Sequence, residues 1–137
     1  MEKKINKSAG IVVLLFLVLG VVIIFYKRHQ FLGNYKFTTG RVTEITPPGW
    51  KSSGDYSILY DYWVDNKIYH NNENYNYCRG MSISKAKILL IGKRFPVAYS
   101  ANDPGTCSML LTQENADRFK FQLPDSVRYY DSVLTCK

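Results

Sequence analysis

The stretch Tyr56–Val64, YSILYDYWV, indicates the fold more directly than any other part of the sequence. Aromatic and branched residues stand at every second position, as in a strand that turns one face towards a core. That face consists of Tyr56, Ile58, Tyr60, Tyr62 and Val64. Asp65, Asn66 and Lys67 predict a turn and residues 68–75 a returning strand, so the segment predicts an antiparallel β-hairpin.

The tyrosines of this hairpin have two interpretations. They can form cross-strand pairs that cover a core, which is the commoner arrangement, or a platform on which a ligand stacks. On the second interpretation the candidate binding surface is Tyr56, Tyr60, Tyr62 and Trp63. The polar run at residues 71–76, NNENYN, predicts a mobile loop.

A first strand is predicted before the hairpin, at residues 36–46, KFTTGRVTEIT. Strict alternation would place Phe37, Thr39, Arg41, Thr43 and Ile45 on one face. Gly40 indicates a bulge or a bend, as a small barrel requires.

After the hairpin the hydrophobic period becomes helical. Residues 82–91, SISKAKILLI, predict a short helix with Ser82 or Ser84 as its cap and Gly92 as its stop. Residues 93–100 predict a strand with Phe95, Val97 and Tyr99 on one face. A tight turn at 102–105 and a last short strand at 107–111 follow. In the tail, residues 114–121 predict a helical turn and residues 127–133 a further strand or an extended cover.

Residues 11–25, IVVLLFLVLGVVIIF, form an uncharged apolar run near the N-terminus. Extended to residues 9–26, a helix would cover about 27 Å, close to the hydrocarbon thickness of about 30 Å. The run lacks the polar stripe of a core helix, and the YKRH sequence after it offers no cleavage site for a signal peptidase. The sequence therefore predicts an uncleaved single-pass anchor that contacts the lipid bilayer through residues 9–26.

The charges beside this anchor nearly cancel, with Lys3, Lys4 and Lys7 before it and Lys27 and Arg28 after it. A short polar tail lies on one side and a whole domain on the other. We therefore expect the N-terminus in the cytoplasm and the domain outside it.

The net charge of +7 and the pI of about 9.3 suggest nucleic acid as a partner. Residues 1–30 hold five of the eighteen Lys and Arg and one of the eleven acids, so the rest of the chain carries only +3. Such a balance is typical of a solvated surface, and no nucleic-acid partner is predicted.

Several of these segments occur in a familiar order: TGRV at 39–42, the tyrosine-rich hairpin, and GKRFPVAYSANDP at 92–104. Together they resemble a widespread bacterial family of small membrane-anchored β-domains of unknown function, over about residues 39–111. The resemblance implies a small antiparallel β-barrel or sandwich beside the inner (cytoplasmic) membrane, and it brings no catalytic residues. The three cysteines and the longer C-terminal tail depart from the family pattern.

The predicted fold is mainly β, a small antiparallel β-barrel or sandwich of about five to six strands with one short helix, after a single N-terminal transmembrane helix. The expected divisions are a polar tail (1–8), the anchor (9–26), a juxtamembrane linker (27–35), the barrel (36–112) and a C-terminal extension packed on or following it (113–137).

The domain contains three cysteines, Cys78, Cys107 and Cys136, whose oxidation state can be tested directly. In an oxidising compartment Cys78 and Cys107 form a candidate disulfide, which would close a loop of about thirty residues and stabilise the fold by about 3 kcal/mol. In the cytoplasm all three would be thiols. The sequence leaves both states open.

No other motif indicates catalysis or a cofactor. There is no C-x-x-C, H-x-x-x-H or phosphate-binding glycine loop, so neither a metal nor a cofactor is predicted. His70 is a weak candidate for a base beside a cysteine, because a single strand histidine is usually a surface residue.

Two classes of function remain. The favoured one is a non-enzymatic, membrane-tethered binding or assembly module whose barrel presents a surface to another envelope protein or to envelope material. An immunity or inhibitor protein is one form of it. The other is a thiol-dependent redox protein or enzyme using Cys78 or Cys107.

Overall fold

The computed structural model describes residues 7–47, 56–75 and 81–135. Within them, five antiparallel strands form one curled sheet, a half-barrel with the strand order β3-β2-β1-β4-β5. The elements are α1 (Lys7–Gly33), β1 (Tyr35–Thr46), β2 (Tyr56–Val64), β3 (Lys67–Tyr75), α2 (Ile83–Leu90), β4 (Arg94–Ser100), β5 (Cys107–Met109), α3 (Gln113–Asp117) and α4 (Asp125–Thr135). The mainly-β prediction is confirmed.

The helix α1 is apolar over Gly10–Lys27, with a mean hydropathy of 2.7 and no residue of that segment buried. It is long and apolar enough to cross a membrane. The helix continues to Gly33 and so includes most of the predicted juxtamembrane linker at 27–35. No proline or glycine interrupts residues 28–32, and the ring of Phe31 packs edge-on against Phe119 with 5.2 Å between centroids.

The hairpin is formed as predicted. Its turn has positive φ at Asp65 (49°) and Asn66 (63°), which is the two-residue type I′ geometry that matches strand twist. The polar run is not a loop, because residues 71–75 belong to β3. Position 76 lies outside the described residues.

The strand β1 is central, and two of its features differ from the sequence prediction. The bulge lies between Val42 and Glu44 rather than at Gly40, so Ile45 is buried with Val42 instead of sharing the exposed face of Arg41. Gly40 is a point of close packing, since a Cβ there would lie 2.7 Å from Val97 Cγ2 and 3.2 Å from the Asp61 carbonyl oxygen.

The second half of the sheet agrees with the predictions for α2 and β4. The Ser82 side chain accepts a hydrogen bond from the Lys85 N–H (3.3 Å), and Gly92 ends the helix with φ of 78°. The last strand is shorter than expected and ends at Met109.

The C-terminal residues form helices packed on the sheet. The strand or extended cover predicted at 127–133 is wrong, because this segment lies in α4. Val127 and Leu134 are buried with helical spacing, and Tyr130 packs edge-on against Phe95 of β4 at 5.1 Å. The extension therefore completes the core of the half-barrel.

Candidate functional site

The two edge strands of the half-barrel, β3 and β5, are joined by side chains; we call this contact the seam. The Glu73 carboxylate accepts hydrogen bonds from the Ser108 hydroxyl (2.8 Å) and the Met109 N–H (2.7 Å). The Tyr75 hydroxyl donates to the Met109 carbonyl (2.5 Å) and accepts from the Asn115 amide (2.7 Å). Polar side chains of β3 thus satisfy the backbone of β5 in place of a strand ladder.

The thiol of Cys107 lies at the same seam, half-buried and free. Its sulfur is 2.8 Å from the Asn71 amide nitrogen and 3.2 Å from the Tyr60 hydroxyl. The predicted partner Cys78 lies outside the described residues, as does Cys136, so the disulfide stays a prediction.

Burial controls the ionisation of the seam. It raises the pKa of the Tyr60 and Tyr62 phenols, and the nearby Cys107 raises both further. Burial also raises the pKa of the Glu73 carboxyl, against the opposing effect of the hydrogen bonds from Ser108 and Met109. The phenols of Tyr60 and Tyr62 therefore stay neutral.

The predicted tyrosine platform is divided between the two sides of the sheet. Tyr60 and Tyr62 lie in the core, and the Tyr62 hydroxyl donates to the Pro104 carbonyl. Tyr56 is half-buried, with its hydroxyl 3.4 Å from the Met81 carbonyl oxygen. Trp63 lies on the opposite side and is 46% exposed. The four residues do not form one surface, and only Trp63 is open to a partner.

Trp63 borders a shallow depression on the outer face, which is the side of the sheet opposite Tyr60 and Tyr62. This Trp63 depression has a volume of about 260 Å³ and is lined by Thr39, Gly40, Arg41, Trp63 and Arg94. Strand pairing assembles it, since Arg41 stands directly opposite Arg94 across β1 and β4. The Thr38 hydroxyl donates to the Trp63 carbonyl (2.8 Å) and fixes the end of β2.

A row of charged residues crosses the outer face beside this depression. Asp61 stands opposite Arg41 on one side and His70 on the other, and its Oδ1 is 2.6 Å from His70 Nδ1. In the described part of the chain, Arg41 and Arg94 have no carboxylate within salt-bridge distance. The depression is therefore basic, with an aromatic wall.

Other groupings of reactive residues are less informative. His70 lies on the outer face and Cys107 on the inner one, so the weak Cys–His candidate is not assembled by these two. Among the described residues, no three His, Cys, Asp or Glu side chains are placed to hold a metal.

A larger groove of about 520 Å³ lies in the C-terminal extension. The side chain of Gln113 crosses it and donates to Asp117 Oδ1 (2.7 Å) and the Phe121 carbonyl (3.2 Å). Asp131 accepts from the Gln113 N–H (3.1 Å). These groups hold α3 to α4, so the groove has a structural role.

Comparison with protein-family models, curated proteins and solved structures finds no match. The resemblance to the bacterial family of membrane-anchored β-domains therefore stays a prediction. The sequence patterns indicate Trp63 and Cys107 as candidates, but not the facing Arg41 and Arg94 or the seam residue Glu73. Alternation alone could have placed Arg41 outside, whereas its partner depends on the pairing of distant strands.

Proposed function

We propose that the protein is a membrane-anchored, non-enzymatic binding or assembly module of the bacterial envelope. The helix α1 would hold it in the inner membrane, and the half-barrel would bind another envelope protein through the Trp63 depression. The observation that carries this proposal is the exposed indole of Trp63 beside two arginines that lack carboxylate partners in the described residues.

The composition of this surface supports a protein partner. Trp and Arg are the residue types most enriched at energetically important positions of protein interfaces. Ile68, directly opposite Trp63 across the hairpin, is 48% exposed and extends the apolar area. Truncating Trp63 would thus remove the largest apolar contact from the surface.

Placement of the domain outside the cytoplasm is supported by the whole domain that follows α1, because long domains are translocated largely regardless of their charge. Labelling of intact cells with a membrane-impermeant thiol reagent tests this, with and without prior reduction. Labelling of intact cells in either condition supports an external domain. Labelling only after lysis would place it in the cytoplasm.

Photocrosslinking from the surface itself tests the binding function. We expect Trp63→p-benzoylphenylalanine, in the full chain in its native membrane, to give a discrete adduct with one protein. The matched control carries the same group at Tyr129, which is 60% exposed on α4. Adducts that are absent at position 63, or identical at both positions, would contradict the proposal.

The alternative is a thiol-dependent redox protein or enzyme using Cys78 or Cys107. Its support is the free, half-buried Cys107 thiol at the seam, whose sulfur contacts the Asn71 amide nitrogen and the Tyr60 hydroxyl. It predicts alkylation with an apparent thiol pKa well below the ordinary value of about 8.5. Values at or above the ordinary one for all three cysteines would exclude it. An immunity or inhibitor protein is a narrower form of the first proposal.

A further inference from the structure

We infer that the Trp63 depression is a receptor for carboxylates, with Arg41 and Arg94 binding acidic side chains of a partner protein segment. This inference rests on the proposed function and specifies the chemistry of the partner. Its basis is the juxtaposition of two arginines and one exposed indole in a single depression.

The pairing of the two arginines is unfavourable for the isolated fold. Arg41 and Arg94 stand directly opposite each other in adjacent strands, where Cβ atoms lie about 5 Å apart and like charges destabilise a sheet. An anion between them would convert this repulsion into two charge-assisted interactions. Asp61, opposite Arg41 on its other side, offsets part of this repulsion, whereas Arg94 has no carboxylate within salt-bridge distance among the described residues.

The protein itself does not supply that anion within the described residues. Asp61 is the nearest candidate by strand register, but its Oδ1 contacts His70 at 2.6 Å. Two positively charged side chains, Arg41 and Arg94, line the depression. A ligand carrying more than one negative charge would thus fit better than a single carboxylate.

The size of the depression indicates how the anion is presented. About 260 Å³ is below the range of about 300–1,000 Å³ for pockets that enclose a small molecule. It accommodates one or two side chains that project from a larger partner. Trp63 would contact their aliphatic portions, while the guanidinium groups bind the carboxylates.

The position of Arg41 along the chain favours a protein over lipid headgroups as the source of the anion. Arg41 lies about 20 Å along β1 from Tyr35, at about 3.3 Å per residue. The helix α1 adds about 9 Å beyond the apolar segment that ends at Lys27, at about 1.5 Å per residue. The site can therefore lie farther from the bilayer than headgroups reach.

Fluorescence of Trp63 provides a direct test. The full chain in non-ionic detergent would carry Trp50→Phe, so that the emission reports one indole, and would be titrated with the peptide Glu-Glu-Phe-Glu-Glu, blocked at both ends. We expect a saturable change that weakens with added salt, because screening reduces the attraction between exposed charges. The peptide Gln-Gln-Phe-Gln-Gln should produce no saturable change.

Arginine variants separate specific binding from general attraction. Replacing both arginines, Arg41→Gln with Arg94→Gln, should weaken the affinity for the acidic peptide by about tenfold or more. Arg128→Gln, which removes an exposed arginine of α4, should leave the affinity unchanged. The charge-preserving double variant, Arg41→Lys with Arg94→Lys, should have an affinity between those of the wild type and the double Gln variant. Lysine keeps the charge but cannot bind a carboxylate through two parallel N–H groups.

Three results would overturn the inference: no saturable binding of the acidic peptide, equal binding of the Gln peptide, or equal affinity in the double Gln variant. Saturable binding only to phosphatidylglycerol vesicles would assign the site to lipid instead. If the crosslink from position 63 still captures a protein, only the carboxylate chemistry fails and the binding function stands.

Discussion

The seam and the outer face of the same sheet differ in whether their polar side chains have partners among the described residues. At the seam, the Glu73 carboxylate accepts two hydrogen bonds and the Cys107 sulfur has two polar neighbours. On the outer face, Arg41 and Arg94 face each other with no carboxylate in salt-bridge range among the described residues. Polar groups that satisfy one another support the fold, whereas the facing arginines are the basis of the inferred carboxylate site.

The largest expected effect is at the seam. Glu73→Ala should lower the free energy of unfolding by about 3 kcal/mol, because it leaves the Met109 N–H and the Ser108 hydroxyl without their acceptor and opens a cavity. Urea unfolding of the full chain in detergent measures this. Glu44→Ala, an exposed acid of β1, is the control. Equal stability of the two variants would show that the seam contributes little.

A smaller loss of stability is expected at Gly40, where β1 packs closely against Val97 of β4. Gly40→Ala should cost about 2 kcal/mol, since its Cβ would lie 2.7 Å from Val97 Cγ2 and 3.2 Å from a backbone oxygen that cannot move freely. Thermal unfolding measures the loss. Gly33→Ala is the matched control, because a Cβ there meets no atom within 4 Å. A neutral Gly40→Ala would mean that the sheet adjusts at this point.

The pH dependence of stability should also depend on the seam. The folded state raises the pKa of Glu73 and so binds its proton more tightly than the unfolded chain does. Stability from this group is therefore present at acid pH and lost as the pH rises from the ordinary 4.5 through the raised value.

The variant Glu73→Gln should remove that part of the pH dependence and keep the seam closed, because its amide can still accept from Met109 and donate to Ser108. The measurement is the difference in unfolding free energy between wild type and variant at each pH. A difference that does not change with pH would contradict the assignment.

The smallest expected effect has the opposite sign and lies on the outer face. Arg94→Gln should raise the free energy of unfolding by about 0.5 kcal/mol, because it removes a repulsion between directly opposed charges. Arg128→Gln breaks an exposed pair with Asp125 (3.2 Å) and should be neutral or slightly destabilising. A destabilised Arg94→Gln would indicate that this arginine supports the fold, and the contrast between the two regions would be lost.

Local patterns predicted much of the architecture. The alternation of Tyr56–Val64, the Asp65–Asn66 turn and the Ser82 cap each follow from neighbouring residues, and the structure confirms all three. The loop prediction for residues 71–75, which competed with the strand prediction for 68–75, and the prediction for 127–133 were wrong for one reason. Polar β3 residues and amphipathic α4 residues are stabilised by contacts with β5 and β4, which lie far away in sequence.

The amino-acid sequence by itself determined the apolar helix and the hairpin, because periods of 3.6 and 2 are properties of neighbouring residues. Only the tertiary structure decided that Arg41 stands opposite Arg94 and that Glu73 joins β3 to β5. Both arrangements arise from strand register and sheet curl, which depend on the packing of the whole core. The candidate site is therefore a product of pairing between distant strands.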